Sequence, residues 1–170
     1  MASMSNGTGD DYFLLFNAAG AILTGFDHES EMSPYATDQK EIWPGVLEDV
    51  PSEFREFLSE PTITIAYPTF CLWRRYSDTA WRNGTINYPD DDTDADGSSW
   101  MLSILNGEPA SYHEFAEEYY ERPVDIEAVK HVYEHKPLTE EIVRSLNLDR
   151  SLKDLSGDID EIGYPTEATS

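Results

Sequence analysis

Lysine and arginine are scarce. The 170 residues hold 11 of them against 34 aspartates and glutamates, a net charge of -23. Phosphate backbones and anionic lipid surfaces are held by clustered cations that displace counterions, so neither nucleic acid nor a membrane is an expected partner. The natural complement of so acidic a surface is a basic protein. Cysteine is nearly absent as well: Cys71 stands alone. No disulfide can close within the chain, and the apolar run around Cys71 marks it as a core residue in a reducing compartment. No apolar run is long enough to span a bilayer, and no secretory hydrophobic stretch follows Met1, so the expected location is the cytoplasm. Repeats and Gly/Pro/Ser-rich linkers are missing too, and a single domain over 11–165 is expected, with a flexible leader at 1–10 and a loose tail at 166–170.

Aromatic residues are plentiful. Four Trp, ten Tyr and seven Phe within a 39% apolar composition exclude the low-hydrophobicity signature of disorder. Tyr12–Phe16 and Ala21–Phe26 flank Asn17-Ala18-Ala19-Gly20 and predict a β-hairpin whose strands sit centrally. Pro51 opens a short helix with Phe54, Phe57 and Leu58 on one face. Thr62–Tyr67, Thr69–Tyr76 and, after the Asn83-Gly84 turn, Thr85–Tyr88 predict further strands. Arg74, Arg75 and Arg82 are expected to pair with acids on the sheet's polar face.

Past Gly97 the period becomes helical. Ser98 or Ser99 is expected to cap a segment through Leu105; Ser111 with Glu114 forms a capping box; Asp125, Thr139 and Ser151 cap three more helices. The helix after Ser111 places Tyr112, Phe115, Ala116, Tyr119 and Tyr120 on one face, expected to be buried, and Glu114, Glu117, Glu118 and Glu121 on the other. The fold class that follows is α+β, an antiparallel sheet from the N-terminal half packed against helices of the C-terminal half.

Three constellations carry candidate chemistry. Asp92-Thr-Asp94-Ala-Asp96-Gly97 matches the first half of a calcium loop, but Ser103 stands where the bidentate Glu belongs and no helix is predicted ahead of it. His131-Val-Tyr-Glu134-His135 places two imidazoles at i, i+4 with a neighbouring Glu, a zinc-hydrolase pattern without an evident third ligand. Asp27, His28 and Glu29 lie in the polar loop Gly25–Tyr35, where adjacent residues of an extended chain point in alternating directions. There is no Ser-His-Asp order, nucleophile elbow or Gly-rich phosphate loop. A non-enzymatic protein without cofactor or metal is the expectation; a calcium-binding module and a metal-dependent hydrolase are the alternatives.

The segments Tyr12–Asn17, Gly25–Tyr35, Trp43-Pro44-Gly45, Phe70–Trp73 and Pro137–Glu141 together resemble a family of uncharacterised bacterial immunity-type proteins of polymorphic or contact-dependent toxin systems. That resemblance implies a cytoplasmic protein that binds and neutralises a basic toxin domain, often a nuclease, and it assigns no functional residues. The candidate contact surfaces are the loop Asp90, Asp91, Asp92, Asp94, Asp96 and the helix stripe Glu114, Glu117, Glu118, Glu121. The loop concentrates its charge in fewer residues and is the stronger candidate for steering a basic partner.

Overall fold

The computed structural model describes residues 1–36 and 40–166, apart from the side chain of Asp91; positions 167–170, most of the expected tail, lie outside that description. The fold class is α+β, with a four-stranded antiparallel sheet in the N-terminal half and helices through the C-terminal half. The chain divides into two compact units, Met1–Met101 and Leu102–Ser170.

The first unit is built on the sheet, ordered β1 (Ala2–Ser5), β2 (Asp11–Asn17), β3 (Gly20–Phe26), β4 (Phe70–Arg75). The expected hairpin is β2–β3, and its strands are the two central ones. Asn17 closes the turn by accepting from Ala19 N at 2.8 Å and Gly20 N at 3.2 Å through its side-chain oxygen. Register sets two rows on one face of the sheet: Leu15, Ile22 and Trp73, then Phe13, Thr24 and Cys71. Against this face pack Phe54 and Phe57 of α1 (Ser52–Leu58), together with Met32, Val46 and Val50. Cys71 is fully buried, and burial pushes its thiol up to about 12, so it is a packing residue.

Residues 1–10 are not a loose leader. Ala2–Ser5 pairs with Asp11–Leu14, and the connection is tied by Asn6, whose side chain accepts from Thr8 N and Asp10 N and donates to Asp10 Oδ2 at 2.6 Å. An edge strand of Ala-Ser-Met-Ser carries no apolar period, since its pairing is all main chain. Two other expected strands do not form. Thr62–Tyr67 alternates in exposure as its sequence does, yet no ladder partners it among the described residues. Thr85–Tyr88 is held by other means, with Trp43 Nε1 donating to Asn87 O at 3.0 Å. Two of the three arginines pair with acids as expected, Arg75 with Glu53 at 2.6 Å and Arg82 with Asp78 at 3.3 Å, whereas Arg74 donates to the main-chain Asp78 O. The unit ends in a short helix α2 (Ser98–Met101).

The second unit holds α3 (Pro109–Tyr120), α4 (Ile126–Tyr133), α5 (Glu140–Leu146) and α6 (Ser156–Ile162). Asp125 and Thr139 cap α4 and α5 as expected, accepting from Glu127 N at 2.9 Å and Ile142 N at 3.2 Å. Elsewhere the boundaries move. The segment from Ser98 breaks into α2 and a 3-10 turn at Ser103–Leu105. Pro109, pre-set for the first helical position, opens α3 two residues ahead of Ser111, which instead accepts from Asn106 Nδ2 at 2.8 Å. Ser151 closes a turn with Asp154 at 2.7 Å, and α6 begins only at Ser156 before its left-handed Gly163.

Candidate functional site

Where β3 leaves the sheet, the chain turns at Asp27–Ser30 and draws three buried acids into one polar network. Asp10 Oδ1 accepts from His28 N at 2.9 Å and from His28 Nδ1 at 2.6 Å, while its Oδ2 takes Asn6. Asp27 Oδ1 accepts from Glu29 N and its Oδ2 from Trp100 Nε1, both at 2.9 Å. Thr69 Oγ1 accepts from Asp27 N at 3.1 Å and donates to Asp96 O at 2.8 Å; Ser30 Oγ donates to Ala95 O at 2.7 Å. These bonds staple the loop after β3 to the acidic loop, so neither is merely solvated.

The electrostatics follow from that wiring. Burial pushes the Asp10 carboxyl up, but hydrogen bonds from His28 and Asn6 and the imidazole charge more than offset it and leave it below the usual range. The Asp10 bond in turn raises His28, helped by the charges of Glu29 and Asp27. Ligand atoms of Asp10, Asp27 and His28 lie within 4.8 Å of one another. The alternation expected of an extended chain therefore fails here, because the chain bends at Asp27. Each of these groups already has a protein partner, and the arrangement is a structural clasp.

The acidic loop differs from its sequence reading. Asp90, Asp92 and Asp94 face solvent, the Asp91 side chain lies outside the described residues, and Asp96 is buried at 2% exposure with Oδ1 accepting from Ser98 N at 2.8 Å. Its carboxyl is raised, chiefly by burial. The first-half calcium pattern is thus not a ligand cage: Asp96 points into the fold while Asp92 and Asp94 turn outward. Removing the Asp96 charge has a definite consequence. Because its folded pKa is raised, its protonated form is favoured by folding, and its contribution is lost as pH rises from the ordinary 3.8 through the raised value. Asp96→Asn keeps an acceptor for Ser98 N and is expected to raise the melting midpoint at pH 7 while leaving it unchanged at pH 3. A lower midpoint at pH 7 would show that the loop needs the charge, as a cation site does.

The zinc pattern is also dispersed. Helix α4 ends at Tyr133, so His135, with φ 55, is off the helix and packs edge-on against Tyr164 at 4.7 Å. His131 Nε2 lies 2.9 Å from Pro137 O, and Glu134 pairs with Lys136. Among the described residues, Asp10, Asp27 and His28 form the one group with metal-ligand spacing, and none of the pattern belongs to it.

On α3 the roles of the two faces change. Glu114 and Glu118 are exposed and Glu121 follows the helix in a left-handed cap, but Glu117 is half-buried and accepts from Val124 N at 3.0 Å. The aromatic face expected in a core is largely open: Ala116 is buried, whereas Phe115 is 37% exposed and Tyr119 and Tyr120 are each 52% exposed. Sequence periodicity found the stripe and misjudged what covers it. The one sign available was composition, since tyrosine tolerates a wet edge where leucine does not.

The chain matches no family model, no curated protein and no solved structure. No helix among the described residues is long and apolar enough to cross a membrane.

Proposed function

We propose that this chain is a non-enzymatic acidic binding protein, an immunity-type protein that captures and neutralises a basic toxin domain in the cytoplasm. The observation that supports it is uncompensated charge. Lys and Arg pair with Glu53, Asp78, Glu127, Glu134 and Glu140 among the described residues, whereas Asp90, Asp92 and Asp94 on one surface and Glu114, Glu118 and Glu121 on another stand exposed. Like charges held this close repel one another, and an opposite surface relieves them.

In this reading the acidic loop is the surface that steers the partner. Three outward carboxylates lie within five residues of chain, and their fields reach a partner over a Debye length of roughly 8 Å at physiological salt. Asp90→Asn/Asp92→Asn/Asp94→Asn is expected to slow association with the toxin domain encoded beside its gene by about tenfold at low salt, an effect that fades as salt rises, with dissociation little changed. Stopped-flow fluorescence at several salt concentrations measures this. Wild-type association by the triple variant sinks the steering role; a gene neighbourhood without a toxin, or no complex with the encoded domain, sinks the immunity reading.

A further inference from the structure

The exposed aromatic face of α3 carries exposed glutamates beside it and borders a cavity. Phe115 and Tyr119 stack with centroids 5.5 Å apart, Tyr119 meets Tyr120 edge-on at 5.1 Å, and Tyr112 joins Phe115 at 6.3 Å to Tyr133 of α4 at 6.4 Å. Such a run is large for surface without a partner, because each ring leaves apolar area in water that burial would stabilise at roughly 25 cal/mol per Å². Beside it opens a cavity of about 430 Å³ lined by Ala116, Tyr120, Val124, Val129, Tyr133 and Leu146. That volume falls in the range of pockets that take a large side chain or small ligand.

The charge around this face selects the occupant. Glu118 lies one turn from Phe115 and from Glu114 on the same helix, and Glu121 follows at its end, all exposed. Arg122, a cation beside the strip, is already engaged: its guanidinium sits 5.6 Å over the Tyr120 ring and donates to Leu146 O at 3.0 Å. That contact shows by example how a guanidinium is received here.

We propose that the α3 face and its cavity form the docking site for a basic segment of a partner protein. One large apolar side chain of that segment fills the cavity, and its Arg or Lys residues lie over the tyrosines and against Glu114, Glu118 and Glu121. A central apolar anchor ringed by charge is the arrangement in which a few residues dominate binding. This rests on the acidic-binder reading and assigns it a holding surface on α3. A second copy of this chain is the less suitable occupant, since it would bring the same glutamates against each other.

The test uses a fluorescent short peptide of Arg and Ser with one central Trp, the same peptide with Ser for Trp, and a peptide of Glu and Ser with the Trp. Fluorescence anisotropy reads binding to wild type, to Phe115→Ser/Tyr119→Ser and to Glu114→Gln/Glu118→Gln/Glu121→Gln. Both variants change exposed residues, and circular dichroism verifies their fold. The expected result is that the basic Trp peptide binds wild type about tenfold or more tighter than its Trp-free form, that each variant loses about that factor, and that the acidic peptide does not bind. Basic peptides bound equally by wild type and both variants would leave the acidic-binder reading standing and overturn the α3 site. Equal binding of the acidic Trp peptide would overturn the charge selection. No basic peptide bound at all would overturn the reading itself. A wild-type dimer in sedimentation equilibrium that Phe115→Ser/Tyr119→Ser abolishes would assign the face to self-association instead.

Discussion

Gly97→Ala is expected to destabilise the protein by about 3 kcal/mol, while Gly107→Ala costs about 1 kcal/mol, although both glycines hold similar left-handed backbones. Gly97 has φ +77 and Gly107 φ +83. The backbone penalty for a Cβ in that region is therefore common to both. What differs is space: a Cβ at Gly107 meets nothing within 4 Å, whereas at Gly97 it would overlap the carboxylate of Asp27. That carboxylate cannot simply swing aside, because it is buried and accepts from Trp100 Nε1 and Glu29 N. Displacing it breaks two part-buried hydrogen bonds, together at roughly 1–3 kcal/mol. Urea denaturation of the two variants separates the common penalty from the steric one. Equal losses would show that Asp27 relaxes freely and that the clasp between the two loops is loose.

The clasp also explains which parts of this protein were legible beforehand. The β2–β3 hairpin could be read because alternation, the Asn17 turn and the strand lengths all act locally, and the Asp125 and Thr139 caps because a capping residue satisfies donors two or three positions away. Thr62–Tyr67 shows the limit of that reasoning: its alternation correctly forecasts which side chains are covered, but a strand also needs a partner, and pairing is a non-local fact. Asp10 marks the same limit at the site. Its partner His28 lies 18 residues away, and nothing in Asn6-Gly-Thr-Gly-Asp10 taken alone distinguishes a hairpin turn from a loose end. On α3 the period gave the right stripe, while exposure is decided by what else in the fold covers it.

Asp10→Ala is expected to cost about 2 kcal/mol near pH 5.5, because it takes the acceptor from the part-buried His28 main-chain N–H and Asn6 amide. The cost should vary with pH in a set way. Asp10 has a folded pKa below its ordinary 3.8, so its contribution is present above that value and lost as pH falls through the lowered one. His28 has a folded pKa above its ordinary 6.5, so its contribution is complete below 6.5 and lost as pH rises through the raised value. Both are complete only between, in a window of roughly pH 4.5–6. Asp96 drifts the opposite way from Asp10, but it is present in wild type and variant alike and cancels in their difference. The difference in unfolding free energy, from denaturation at a series of pH values, should therefore peak inside the window and shrink on both sides. His28→Ala should remove the decline on the alkaline side and weaken that on the acid side, since the imidazole also helps to lower Asp10. Parallel pH profiles for wild type and Asp10→Ala would mean that the imidazole and the carboxylate are not coupled, and that the loop after β3 is held by its neutral hydrogen bonds alone.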